Sequence, residues 1–139
     1  GVTGIGGAAS LAFAEAGAKV LAQYLGGGPE LKTIEAAGIT TMKLDLTEKD
    51  AAQKLIDAAI AKFGRIDVLV NNAGSLVARV PVTDLDDDFI DKVFDLNCRQ
   101  LIHCCRIAAR LPGYEERPSH FAMPEGLAAA IDARHHLVV

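Results

Sequence analysis

Positive charge is in short supply in this chain: 14 Lys and Arg stand against 18 Asp and Glu, for a formal charge of -4 and a pI near 5.5. A surface of that balance has no basic excess with which to recruit nucleic acid or an anionic membrane, so neither partner is expected. Long apolar runs are missing as well, and none approaches the roughly 18 residues that a membrane-spanning helix needs. No charged segment followed by an apolar stretch marks a secretory leader, so a cytoplasmic location is expected. The cysteines are few, odd in number and crowded, with Cys98, Cys104 and Cys105 in one helical stretch. A disulfide framework spreads its cysteines, so these read as reduced thiols packed like small apolar residues. A metal site from them and His103 is disfavoured, because adjacent helical residues point in different directions. There is no internal repeat and no low-complexity tract. What is present is 139 residues, 50% hydrophobic, the size and apolar content of one globular domain.

Along the chain, short strands alternate with helices. A glycine-rich stretch at 4–7 leads into an apolar helix with Ala9, Ala12, Phe13 and Ala16 at helical spacing, and Gly17 stands where a left-handed cap belongs. Lys19–Tyr24 reads as a strand, Glu30–Ala37 as a short helix closed by Gly38, and Thr40–Leu44 as a second strand ending at Asp45. Thr47 to Asp50 has the pattern of a capping box, and behind it Leu55, Ile56, Ala59, Ile60 and Phe63 make one apolar helix face, closed by Gly64. Ile66–Val70 is nearly continuous aliphatic sequence, as in a strand covered on both faces. Asn71–Gly74 closes that strand and a loop follows over 75–83. Asp84–Asp88 suits the start of a helix, and helical spacing then runs from about Phe89 to Leu111. The pattern predicts an α/β doubly wound parallel sheet over residues 1–111. Residues 112–139 read as an irregular tail without an assigned role, with a short helix expected over 126–133 and a strand fragment over 135–139.

Three features of this layout concern a ligand. Glycines at Gly4 and Gly6 allow a tight turn and bring backbone N–H groups close to a pyrophosphate at the positive end of a helix; they also suit an ordinary turn. Asp45 ends a strand roughly 40 residues later, where its carboxylate can accept a hydrogen bond from an adenine amino group or simply cap a turn. Asn71-Asn72-Ala73-Gly74 ends an apolar strand on the side where open α/β sheets bind ligands, and small residues there let a cofactor lie against the backbone.

Together these segments resemble the short-chain dehydrogenase/reductase family. Gly4-Ile5-Gly6 matches the end of its Thr-Gly-x-x-x-Gly-x-Gly fingerprint, and Phe13–Val20 is similar to its first helix and second strand. Asp45-Leu46 matches its adenine-contacting pair, and Phe63–Gly74 is close to a family signature. The resemblance covers about four-fifths of the chain and implies a Rossmann-type fold that uses NAD(P)(H). Gly4, Ile5 and Gly6 would face the pyrophosphate, Asp45 and Leu46 would hold adenine, and Asn72, Ala73 and Gly74 would line the cofactor cleft. Tyr24 ends the second strand, where the family selects between NAD and NADP. A carboxylate there would bind the ribose hydroxyls of NAD; Tyr24 is no acid, Thr3 and Leu25 are not basic, and the choice stays open. The family pattern places the first Thr-Gly and the whole first strand upstream of residue 1. An incomplete fold is therefore expected, lacking that strand and its C-terminal part, with neighbouring strand edges unpaired.

The resemblance also implies a chemistry: hydride exchange between the nicotinamide and a carbonyl or alcohol substrate. The proton is carried by a tyrosine, which a nearby lysine tunes. Asn97 matches the family's asparagine, which holds a water for proton relay. Ile90, Val93, Asn97 and Leu101 are expected on one helix face by their spacing, and an amide there must find water or backbone partners. Gln100 departs from the family, which often has glycine at that place. The Tyr-x-x-x-Lys pair does not occur: Tyr24 precedes Gly28 by four residues, Tyr114 precedes Pro118, and no lysine follows Lys92. Two functions therefore stand side by side, an oxidoreductase of this type and a non-catalytic dinucleotide-binding or interaction module. The resemblance also implies homo-oligomers that associate through the helices at 84–111.

Overall fold

The computed structural model of the chain describes residues 2–113 and the backbone of 136–138. Its elements are α1 (Gly4–Glu15), β1 (Lys19–Tyr24), α2 (Pro29–Ala36), β2 (Thr40–Lys43), α3 (Ala51–Phe63), β3 (Val68–Leu69), α4 (Asp87–Phe94), α5 (Gln100–Ala108) and β4 (His136–Val138). A single 3₁₀ turn, Val82–Asp84, precedes α4, and a π turn, Asp95–Arg99, joins α4 to α5. The helix expected over 126–133 lies outside the described residues.

Four strands form one parallel sheet in the order β2-β1-β4-β3. Residues of β1 alternate between its two faces, as strand geometry requires. Val20 and Ala22 pack with Val2, Ile34 and Ile39, beneath α1 and α2. Leu21 points the other way and packs with Leu55 and Ala59 of α3. Helices on both faces of a parallel sheet are the doubly wound architecture expected from the sequence.

Glycine ends two of these helices in the way its spacing suggests. Gly17, at φ +89°, lets Ala18 N–H donate to Phe13 O at 3.0 Å and turns the chain into β1. Gly64, at φ +81°, closes α3 with its N–H on Ile60 O at 2.8 Å.

Four expectations are corrected. The buried face of α1 consists of Gly6, Gly7 and Ser10, whereas Ala12 and Ala16 are exposed. Alanines and glycines give that helix little sidedness, and close backbone approach decides which face goes inward; Ser10 satisfies its hydroxyl on Gly6 O at 2.8 Å. No capping box forms at Thr47: α3 begins at Ala51, and Thr47 instead serves an Asx turn at Asp45. Strand β3 is only two residues long and half-buried, because it pairs with β4 alone. Finally, no unpaired edge separates β1 from β3. The expected strand fragment at 135–139 is present as β4, which occupies the central place and pairs on both sides, Val20 with Leu137 and Val68 with Leu137 in register.

Candidate functional site

Parallel strands deliver their carboxyl ends to one edge of the sheet, so Tyr24, the Asp45 turn and Asn71–Gly74 lie along the same side. Helix α1 leads back to the start of β1 and so runs antiparallel to it, placing its N-terminus at that carboxyl edge too. The chain passes from β2 through α3 to β3, on the far side of β1 and β4. The sheet thus has its topological switch beside β4, where open α/β sheets bind ligands.

At the start of α1, the first intrahelical bond runs from Gly7 N–H to Thr3 O at 3.0 Å. The N–H groups of Gly4, Ile5 and Gly6 stand outside that ladder, and the Thr3 side chain does not cap them. Gly4 adopts φ +54°, and a Cβ there would meet nothing within 4 Å, so the approach to these donors is open. Ile5 is 81% exposed, which leaves its backbone rather than its side chain to meet a ligand. Gly6 is buried. The sequence did not single out Gly7, yet a Cβ on it would sit 2.8 Å from Val2 O. That glycine lets the helix rest on the segment entering it.

Tyr24 is half-buried, and its carbonyl accepts Leu44 N–H at 2.9 Å, tying the ends of β1 and β2 together. Before it, Gln23 is buried and its side-chain amide donates to Leu44 O. Asp45 accepts from the Thr47 hydroxyl at 2.6 Å and from Thr47 N–H at 2.9 Å. Those two bonds, the hydroxyl's first, hold its carboxyl below the usual carboxylate range. Leu46 lies with Asn72 and Ala73 around a small cavity of about 10 Å³, shared with Gln23 and Gln100. Gly4, Ile5, Gly6, Tyr24 and Asp45 do not line this cavity.

Beyond β3 the chain is held against the α4–α5 helix by two amides that the helix itself supplies, those of Asn97 and Gln100. Asn97 Oδ1 accepts Ser75 N–H at 3.0 Å, and its Nδ2 donates to Ser75 O at 2.9 Å and Val93 O at 2.8 Å. Gln100 is buried and donates to Ala73 O at 2.8 Å. The residue that departs from the family pattern therefore supports the strand end that the pattern prescribes. Gly74 fits between these contacts because a Cβ there would lie 2.7 Å from Asn97 Oδ1. Leu101, expected beside Asn97, is 37% exposed, and the inward face comprises Gln100 and Cys104. The π turn at Asp95–Arg99 explains the difference, since a wider turn shifts the phase of every later residue.

Cys104 is buried, which pushes its thiol pKa up, with a further rise from Cys105. Cys105 accepts a 3.3 Å hydrogen bond from Asn71 Nδ2. Among the described residues no three or more His, Cys, Asp or Glu side chains converge as metal ligands.

A larger open cavity of about 940 Å³ lies between the 75–81 loop and α4, with Leu76, Val80, Phe89 and Val93 in its wall and Asn97 and Arg79 as polar members. The arrangement suits a dinucleotide: unladdered N–H groups at a helix N-terminus, and the small residues Ala73 and Gly74 at a strand end across the switch.

Comparison with known proteins agrees. A family model described as enoyl-(acyl carrier protein) reductase matches residues 1–120. The chain is 33% identical over 135 residues to a 1-deoxy-11-beta-hydroxypentalenate dehydrogenase of Streptomyces avermitilis, covering 93% of this chain and 50% of that protein. It is 36% identical to a 3beta-hydroxysteroid dehydrogenase of Mediterraneibacter gnavus, covering 78% and 41%. Among solved structures, the NADH-dependent reductase A1-R′ responsible for alginate metabolism superposes with a TM-score of 0.68 at 33% identity, covering 76% of this chain and 46% of that one. The same reductase complexed with NAD aligns at 0.55 and 30%, covering 70% and 46%. This chain belongs to the short-chain dehydrogenase/reductase family, a family of oxidoreductases built on a nucleotide-binding Rossmann fold. It spans about half the length of the relatives it matches.

No described helix is long and apolar enough to cross a membrane.

Proposed function

We propose that this chain supplies the NAD(P)(H)-binding half of an oxidoreductase that exchanges hydride between nicotinamide and a small carbonyl or alcohol substrate. The observation that carries this reading is the uncapped first turn of α1 at the carboxyl edge of the parallel sheet, the edge at which the chain also leaves β3 through Asn72–Gly74. In the proposal, backbone N–H groups at Gly4, Ile5 and Gly6 hold the pyrophosphate, Asp45 and Leu46 hold adenine, Tyr24 lies along the ribose, and Asn72, Ala73 and Gly74 form the cleft wall. The bound cofactor would supply or accept the hydride.

Asn97 is the proposed catalytic-site asparagine. Its side chain holds the Ser75 loop against the helix, and it sits within the π turn, a distortion that gathers at functional sites. Tyr24 offers no carboxylate to repel a 2′-phosphate, so both NADH and NADPH belong in the test. Relatives named as dehydrogenases of hydroxypentalenate and of 3beta-hydroxysteroids support an alicyclic alcohol or its ketone as substrate. Exposed Ile90, Phe94 and Ile102 on α4 and α5 support self-association of those helices, to be checked by sedimentation. A cytoplasmic location also belongs to this proposal.

The alternative reading is a non-catalytic dinucleotide-binding or interaction module; these 139 residues contain no Tyr-x-x-x-Lys, and the matched relatives are about twice as long. Loss of a general acid typically lowers rates about 10²–10⁴-fold. One assay separates the readings: NADH or NADPH binding followed by fluorescence, then carbonyl-dependent oxidation of the bound cofactor. Binding with little or no turnover is the expected result for this chain. Steady turnover would refute the module reading, and failure of both cofactors to bind would refute every dinucleotide-binding reading and leave only an interaction module.

A further inference from the structure

Arg79 lines the 940 Å³ cavity as its single charged member among the described residues. The rest of the wall is mainly aliphatic and aromatic, with Ser75 and Asn97 as neutral polar groups. The Asn97 amide spends both of its N–H donors and one acceptor position on backbone, so it has no donor left for a substrate. The two ion pairs among the described residues join Arg65 to Asp67 and Arg99 to Asp95, and neither engages Arg79. The acidic run at the start of α4 supplies no carboxylate to the cavity wall. Asp86 accepts Phe89 N–H at 2.7 Å, and Asp84 accepts the Thr83 hydroxyl at 2.9 Å.

The backbone that carries Arg79 is strained. Val77, a β-branched residue, holds φ +63°, and Ala78 N–H donates to Leu76 O at 2.8 Å across it, a tight three-residue turn of the unfavourable hand. Ser75 Oγ accepts Val77 N–H at 3.1 Å, and Ser75 is itself clamped by Asn97. Strain of this kind persists where the surrounding structure over-determines it, and it concentrates at ligand sites. Here it fixes the loop that presents a guanidinium beside an apolar hollow.

We propose that this cavity is a substrate subsite for compounds with a bulky apolar body and a carboxylate, the body resting on Leu76, Val80, Phe89 and Val93 and the carboxylate pairing with Arg79. The inference rests on the oxidoreductase reading for the word substrate, but the anion selectivity it claims stands on the cavity alone. A guanidinium offers a carboxylate two parallel N–H donors, and such charge-assisted pairs are about twice as strong as neutral ones.

Cholate and its uncharged methyl ester, each below its aggregation concentration, are the probes. Calorimetric titration into the wild-type chain, Arg79→Gln and Arg79→Lys is followed by NADH and NADPH binding on the same samples. Cholate should bind the wild type about tenfold or more tighter than the ester, a preference that Arg79→Gln abolishes and Arg79→Lys partly retains. Added salt should weaken cholate and leave the ester unchanged. Equal binding of the two probes by wild type, binding of neither, or a preference that survives Arg79→Gln would overturn the proposal. Wild type that selects cholate yet ignores NADH and NADPH would instead sink the dinucleotide reading and leave this one standing. Should Arg79→Gln fail to fold, the wild-type probe ratio and its salt dependence decide.

Discussion

Asn97 grips Ser75 from both sides, accepting its N–H at 3.0 Å and donating to its carbonyl at 2.9 Å, although 22 residues separate them. One amide thus fixes the direction in which the chain leaves β3 and holds the wall of the large cavity. Removing it takes a partner from both the N–H and the carbonyl of Ser75.

Asn97→Ala should therefore destabilise the fold by roughly 1–3 kcal/mol, moderated by water reaching the freed groups. Thermal or urea unfolding measures this. Hydrogen exchange should quicken at Ser75 and Val77 well beyond the global change. An unchanged melting profile with unchanged exchange at Ser75 would show that the clamp is ornamental.

Gly7→Ala is expected to cost more than its small size suggests. The new methyl would meet the Val2 carbonyl at 2.8 Å, and backbone cannot step aside as a flexible side chain can. Overpacking of this kind costs about 1–3 kcal/mol. Gly4→Ala makes the matched control for free space, since nothing lies within 4 Å there, though its φ of +54° carries a backbone cost of its own. If Gly7→Ala unfolds no more easily than wild type, the close approach of α1 to Val2 is wrong.

Proline at Leu137 tests the central strand. Strand β4 pairs with β1 and β3 at once, and a strand bonded on both sides has no position where a lost N–H goes unnoticed. Leu137→Pro should lower the melting temperature and expose the β1 and β3 edges to aggregation, an effect read by light scattering. A variant as stable and monodisperse as wild type would mean that the sheet does not need β4.

Asp45 gives a pH signature. Its folded pKa lies below the ordinary 3.8, held there by the Thr47 hydroxyl and N–H. The folded state thus binds the Asp45 proton less readily than the unfolded state does. The contribution is fully present above the unfolded value and is lost as pH falls through the folded one. Asp45 is partly exposed, so the effect is modest. Asp45→Asn should flatten the acid limb of the stability profile below about pH 4 and leave neutral pH nearly unchanged; an acid limb identical to wild type would exclude the Asx turn as its source.

Much of this architecture was legible in the sequence, for reasons that are local. Gly17, Gly38 and Gly64 all take positive φ, as glycine after a helix often does. The β-rich run at 40–43 became β2, and the short apolar run around Leu21 became a strand with two buried faces. What sequence could not show were effects decided by distance in space. The π turn is one, because it rotates Leu101 outward and Gln100 inward without any change in residue type. The Asx turn at Asp45 outcompeted the capping box four residues before the helix, since both motifs draw on Thr47. Gln100 looked like a departure from the family and proved to be the donor on Ala73 O, a partner 27 residues away. Placement of β4 in the middle of the sheet was the furthest out of reach, because three residues carry no label for the neighbours they will find.

Amide chemical-shift mapping during an NADH titration tests the central claim most directly. Convergence of three separate segments on one dinucleotide predicts that resonances of Gly4–Gly6, Asp45–Leu46 and Asn72–Gly74 move together and saturate with a single dissociation constant. Shifts confined to one of those segments, or none at concentrations of NADH and NADPH that saturate a family enzyme, would contradict it.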